Sequence, residues 1–256
     1  MKMLTGRLHF FAFIILILIF NSCGKSNKEF ESFSKAKKLL LEKVYYDNRK
    51  TFYCKCSFTK NKKVRCKTGK GKRAKQVEWE HIVPASRFGK TFRQWKSKKS
   101  WECILPEFLQ TITGLKCKKT SGRQNLRAKS KKYRLMESDM YNLVPAVGFI
   151  NQKRSNLAYG EIPGEKRAFG SCDFEVANGI VEPAPAIRGN IARTYFYMNK
   201  AYPSRVKLDS EEKQMFKKWD KSDPVDKWEC ERSRRIEKLQ GNVNTVVKDA
   251  CKKASK

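Results

Sequence analysis

The chain has 256 residues, 57 Lys and Arg against 25 Asp and Glu, and a formal net charge of +32. A hydrophobic share of 40% with 12% aromatics is enough to build a core, which excludes general disorder, and the length suits one large domain or two small ones. So large a cationic surplus opposes compaction by self-repulsion and is most useful against a polyanion, so nucleic acid or an anionic envelope surface ranks ahead of neutral partners.

From the N-terminus, Lys2 and Arg7 precede an unbroken apolar run of eleven residues, 10–20, followed by Asn21-Ser22-Cys23. Eleven residues are too few for a membrane span of about 20 and suit the core of a signal peptide. We read 1–22 as that signal. Ser22-Cys23 resembles a lipobox, making Cys23 a lipidated first mature residue attached to a membrane, with plain secretion as the close alternative. Residues 23–34 are polar and read as a tether, and 35–256 as the folded domain. Residues 35–46 have helical spacing, while 51–58 and 76–83 look extended. Between those two lie nine basic residues in the sixteen of 60–75, and 116–134 holds nine more in nineteen, with no acid in either. A helix is expected to open near Asn142 with Pro145 in its first turn, and further helices over 188–202, 210–219 and 224–240. Residues 43–154 carry 30 Lys and Arg against seven acids, whereas 209–256 carry 13 against ten. The first block is therefore the anion-facing part.

Of nine cysteines, setting Cys23 aside leaves eight: Cys54, Cys56, Cys66, Cys103, Cys117, Cys172, Cys230 and Cys251. In an exported chain an even set reads as disulfides. Cys54 and Cys56 are poorly placed to pair with each other on extended chain, and Cys66, across the turn at 60–63, is the natural cross-strand partner for one of them. Zinc is disfavoured, because no CxxC pair or histidine cluster accompanies Cys-x-Cys.

The sharpest chemical signal is Val77-Glu78-Trp79-Glu80-His81-Ile82-Val83-Pro84-Ala85. Once the signal is removed, His81 is the sole histidine, it abuts a carboxylate, and it lies between the two basic stretches. A neutral imidazole can take a proton from water. Without a second histidine, the leaving oxygen needs another stabiliser, and a divalent metal on oxygen ligands is the economical one, with Glu80 the obvious carboxylate. Ser86 lacks the context of a hydrolase nucleophile, and no P-loop is present.

These residues, with Asp139-Met140-Tyr141-Asn142-Leu143-Val144-Pro145-Ala146 and Lys227-Trp228-Glu229-Cys230-Glu231-Arg232, resemble the bacterial endonuclease I family. Residues 51–56, 191–198 and 240–242 extend the likeness, which covers about 35–250. The resemblance implies an α+β fold, with a ββα-metal (His-Me finger) core embedded in a mixed, largely helical single domain stapled by disulfides. It implies His81 as general base, Glu80 and Asn142 as ligands of Mg²⁺ (with Mn²⁺ or Ca²⁺ as substitutes), and Arg123 as the grip on the phosphate. The expected activity is sequence-independent hydrolysis of DNA, and of RNA, to 5′-phosphate products by an exported monomer. Lys72, Arg73, Lys75, Arg127 and Arg154 are the expected nucleic-acid contacts. Phe149 and Lys153 stand where relatives often carry acids. The rival reading is an exported lipoprotein that captures DNA without cutting it, using Phe92, Trp95 and Trp101 as stacking surfaces. Such a protein has no need of the Glu80, His81 and Asn142 set.

Overall fold

The structure is a computed structural model that describes residues 26–96, 106–114, 120–164 and 167–255. The signal segment, Cys23, Trp101, Cys103 and Cys117 lie outside the described residues.

Helices dominate. In chain order they are α1 (Phe33–Leu39, continued by a π-turn over Leu40–Val44), α2 (Ala85–Gly89), α3 (Arg93–Lys96), α4 (Glu107–Thr113), α5 (Gly122–Lys129), α6 (Lys131–Glu137), α7 (Gly148–Arg154), α8 (Arg188–Ala201), α9 (Ser210–Ser222), α10 (Lys227–Gln240) and α11 (Thr245–Ala254). The strands are β1 (Val77–His81), β2 (Leu143–Val147), β3 (Ala158–Tyr159), β4 (Phe174–Ala177) and β5 (Ile180–Pro183). β1 and β2 form an antiparallel pair with Glu80 opposite Val144, and β3, β5 and β4 form a second small sheet. The fold is thus mixed α and β, as expected.

Capping explains several boundaries. Ser32 opens α1 by accepting from Lys35 N, and α9 opens with a reciprocal capping box between Asp209 and Glu212. α10 ends at Gly241, whose φ of 76° is comfortable only without a Cβ. The expected helices at 188–202, 210–219 and 224–240 correspond to α8, α9 and α10. Between them lies a buried ionic clasp in which Arg193 of α8 forks onto Glu229 of α10 (2.6–3.1 Å) and reaches Asp220 of α9 (2.7 Å). Asp139, fully buried, accepts from Tyr197, Tyr202 and Gln240 and so ties α8 and α10 to the turn entering β2. The motif residues around 191–198, 227–232 and 240–242 therefore act as scaffold.

Three expectations change. Residues 143–147 are a strand, not the first turn of a helix. Gly148 N bonds Gln76 O and Ile82 N bonds Asn142 O, so alternation makes Trp79 opposite Pro145 a non-hydrogen-bonded pair, where proline's missing N–H costs nothing toward β1. Residues 51–58 do not form a strand. Thr51 and Cys56 close a tight turn through Thr51 N to Cys56 O (2.8 Å) and Cys56 N to Thr51 Oγ1 (3.0 Å). Finally, the segment expected as a tether is packed from Asn27 onward: the Asn27 amide holds the carbonyls of Phe30 and Leu135, and Glu31 pairs with Arg134.

The described disulfides are Cys54–Cys172, Cys56–Cys66 and Cys230–Cys251. Cys54 and Cys56 do take different partners, and Cys66 joins one of them across the turn.

Candidate active site

β1 ends at His81, and the chain turns away immediately. On a regular strand Glu80 and His81 would face opposite sides; here the strand's end lets both line one cleft of about 580 Å³, with Phe33, Arg73, Glu78, Trp95, Arg123, Arg127, Asn151 and Arg154 around them.

His81 is 6% exposed. Its Nε2 lies 2.9 Å from the Glu137 carbonyl oxygen, which can only accept, so Nε2 carries the proton and Nδ1 keeps the basic lone pair. Burial, reinforced by the nearby Arg123 charge, lowers the imidazole from 6.5 to about 3. The ring is therefore neutral at physiological pH. Phe33, the first residue of α1, stacks on it with centroids 5.1 Å apart.

Glu137 organises the opposite wall. Its carboxylate accepts from Arg123 Nε (2.5 Å), Arg127 Nε (2.7 Å) and Tyr133 OH (3.3 Å). Burial pushes this carboxyl up, but the two guanidiniums outweigh it and leave it below the ordinary range. Arg123 and Arg127 stay partly exposed, and among the described residues the Arg123 Nη groups make no hydrogen bond. The pair is thus oriented, with donors left for an anion.

Glu80 is buried. Tyr53 OH donates to its Oε1 (3.0 Å) and the Arg154 Nε lies 3.3 Å away. Burial nonetheless outweighs Arg154 and Tyr53 and raises the carboxyl to about 7. The His81 backbone also hydrogen-bonds this carboxyl and favours its charged form. A carboxylate lining an open cleft is suited to a cation.

Asn142 does not join this cleft. Its Oδ1 accepts from Val83 N (2.7 Å) and its Nδ2 donates to Val83 O (3.0 Å), so both ends of the amide clamp the chain after β1. The cleft asparagine is Asn151, on α7, which reading by residue missed. Its Nδ2 donates to Glu78 Oε2 (2.9 Å), leaving Oδ1 as a free acceptor. Gly148 lets α7 start this close, because a Cβ there would sit 2.7 Å from Glu78 Oε1 and 2.8 Å from the Arg73 carbonyl. Among the described residues no group of three or more His, Cys, Asp or Glu is placed to hold a metal.

Of the expected nucleic-acid contacts, Lys72, Arg73, Lys75 and Arg127 are exposed. Arg154 is not: its side chain is fully buried, donates to Ile82 O (2.6 Å) and stacks over Tyr159. It positions Glu80 rather than meeting phosphate from solvent. Of the aromatics of the capture reading, Phe92 is buried, whereas Trp95, packed over Gly89 and Gly122, is half-buried and lines the cleft.

The geometry agrees with comparison to known proteins. Residues 24–251 match the family model described as Endonuclease I. The chain is 38% identical to Endonuclease-1 of Buchnera aphidicola over 93% of its length and 90% of the relative's. It is 35% identical to an extracellular deoxyribonuclease of Aeromonas hydrophila (85% and 88% covered) and 33% identical to a periplasmic deoxyribonuclease of the same organism (82% and 83%). With cleft and likeness in agreement along most of the chain, it belongs to the endonuclease I family.

Proposed function

We propose that this exported nuclease is a metal-dependent endonuclease that hydrolyses phosphodiester bonds of DNA, and of RNA, without regard to sequence, leaving 5′-phosphate ends. The observation that carries the reading is the neutral His81, with Nδ1 unprotonated, in one cleft with Glu80, Asn151 and two oriented arginines. We read β1, β2 and α7 as the ββα-metal unit.

In this mechanism Nδ1 of His81 takes a proton from the attacking water, while Glu137 holds the ring through Nε2. Arg123 and Arg127 hold the non-bridging phosphate oxygens and stabilise the charge that builds there. Glu80 Oε2 and Asn151 Oδ1 are the oxygens that would hold the cation, and so few protein ligands suit Mg²⁺, which keeps several waters, with Mn²⁺ or Ca²⁺ as substitutes. When bound, the cation supplies charge stabilisation at the scissile phosphate and the leaving 3′-oxygen. Glu80, whose carboxyl burial raises to about 7, would hold the cation as its carboxylate.

Supercoiled plasmid is the direct test, using oxidised protein in low salt with Mg²⁺, with EDTA, and with His81→Ala. Cleavage should need both metal and His81, and the variant should lose about 10²–10⁴-fold in rate while still retarding plasmid on a gel. Retardation without cleavage in any divalent metal would establish capture instead.

A further inference from the structure

The basic segment 60–75 builds a feature the cleft does not account for. Its hairpin is fixed by the bridges Phe58–Val64 and Lys63–Gln76 and by Cys56–Cys66. Lys63, Arg65, Lys67, Lys72 and Lys75 line a surface groove of about 740 Å³, floored by Val64, Cys66 and Gln76, with no acidic side chain in its walls. All five cations are exposed, and among the described residues none of them makes an ion pair. By contrast, Arg87, Arg127, Arg134 and Arg193 each sit on a carboxylate. Fixing five unpaired like charges on a cross-linked hairpin raises the energy of the folded state. An extended anion lying along them offsets that cost more fully than diffuse counterions do.

The groove and the cleft share a wall. In the 3₁₀ turn Lys72–Lys75, Arg73 lines the cleft and pairs with Glu78, while Lys72 and Lys75 line the groove. A strand leaving the cleft over this turn therefore passes directly onto the groove.

We propose that this groove is a second phosphate track, which grips the nucleic-acid backbone beyond the bond being cut and makes long duplexes better substrates than short ones. The inference rests on the nuclease reading for its position, but its charge chemistry is tested separately. The variant is Lys63→Gln/Arg65→Gln/Lys67→Gln, and the control is Lys213→Gln/Lys217→Gln/Lys221→Gln on exposed positions of α9, with the same loss of charge. Each is assayed on a duplex of about 30 base pairs and on bis(p-nitrophenyl) phosphate, which has nothing to lay in the groove. Duplex binding is measured across salt concentrations in a His81→Ala background.

The groove variant should raise KM for the duplex by about tenfold or more, with kcat and hydrolysis of the small ester unchanged. Its log–log salt dependence of binding should flatten by about 2.7, three contacts at about 0.9 each. The control should match the unaltered protein. The track is overturned if the groove variant keeps the original KM and salt slope, if the control loses as much, or if hydrolysis of the small ester falls in parallel. A protein that cuts nothing but shows the expected change in slope would sink the nuclease reading and leave the track standing.

Discussion

At the scale of single residues, the proposed catalysis depends on how His81 is held. Its stacking on Phe33 and its bond to Glu137 fix the orientation of the ring in the cleft wall. Phe33→Ala should lower kcat about tenfold or more with little change in KM, since misplacing a general base costs rate rather than binding. Phe33→Tyr should restore it. A Phe33→Ala enzyme with unchanged kcat would remove the stacking from the account. The depressed basicity of His81 also has a sign. Unfolded, the imidazole takes a proton near 6.5; folded, only near 3. Between those values the unfolded state binds more protons, so the contribution of His81 to stability is complete above about 6.5 and is lost as pH falls towards 3. In EDTA, its NMR resonances should show no titration between about pH 5 and 8, and a midpoint near 6.5 would contradict the burial argument. The Glu80-His81 pair was legible in the sequence because a lone histidine beside a carboxylate is rare in so basic a chain. Phe33 and Glu137 carried no such mark, since their roles arise from contacts across 48 and 56 positions.

At the scale of elements, the disulfides differ in what they close. Cys54–Cys172 spans 118 positions, against 10 for Cys56–Cys66 and 21 for Cys230–Cys251. Loop-closure entropy assigns the first ~5 kcal/mol and the others ~3 each. Replacing Cys54 and Cys172 by Ala should therefore lower the denaturant midpoint further than replacing Cys230 and Cys251, and the reverse order would show that chain entropy does not govern these links. α9 and α10 were legible because each opens on a capping aspartate, whereas α8 opens without a side-chain cap. β2 was not. Asn142 ahead of Leu-Val-Pro-Ala looks like a helix cap, and only pairing with β1, some 65 positions away, makes it a strand. That misreading also hid Asn151. With the helix opened near 142, Asn151 fell on an interior turn, whereas in the structure α7 begins at Gly148 and presents it to the cleft.

For the whole molecule, the net charge of +32 divides into two kinds. Some arginines of α8 and α10 are internal fasteners, as Arg193 on Glu229 and Arg232 on the Met140 and Leu143 carbonyls show. The exposed lysines of 60–75 stand unpaired on the surface beside the cleft. Composition announced a polyanion partner but could not sort these classes, because burial decides between them, and Arg154 is the clearest case. The proposed function turns on a cation held by few protein ligands, and the two asparagines separate the possible versions of that site. The decisive measurement is the rate of plasmid cleavage against Mg²⁺ concentration for Asn151→Ala and Asn142→Ala, with melting temperature recorded for both. Asn151→Ala should need about tenfold more Mg²⁺ or worse and melt like the unaltered protein. Asn142→Ala should keep the original Mg²⁺ curve and lose about 1–3 kcal/mol of stability, because it strands the buried Val83 amide and carbonyl. A shifted Mg²⁺ curve for Asn142→Ala and an unshifted one for Asn151→Ala would contradict the account.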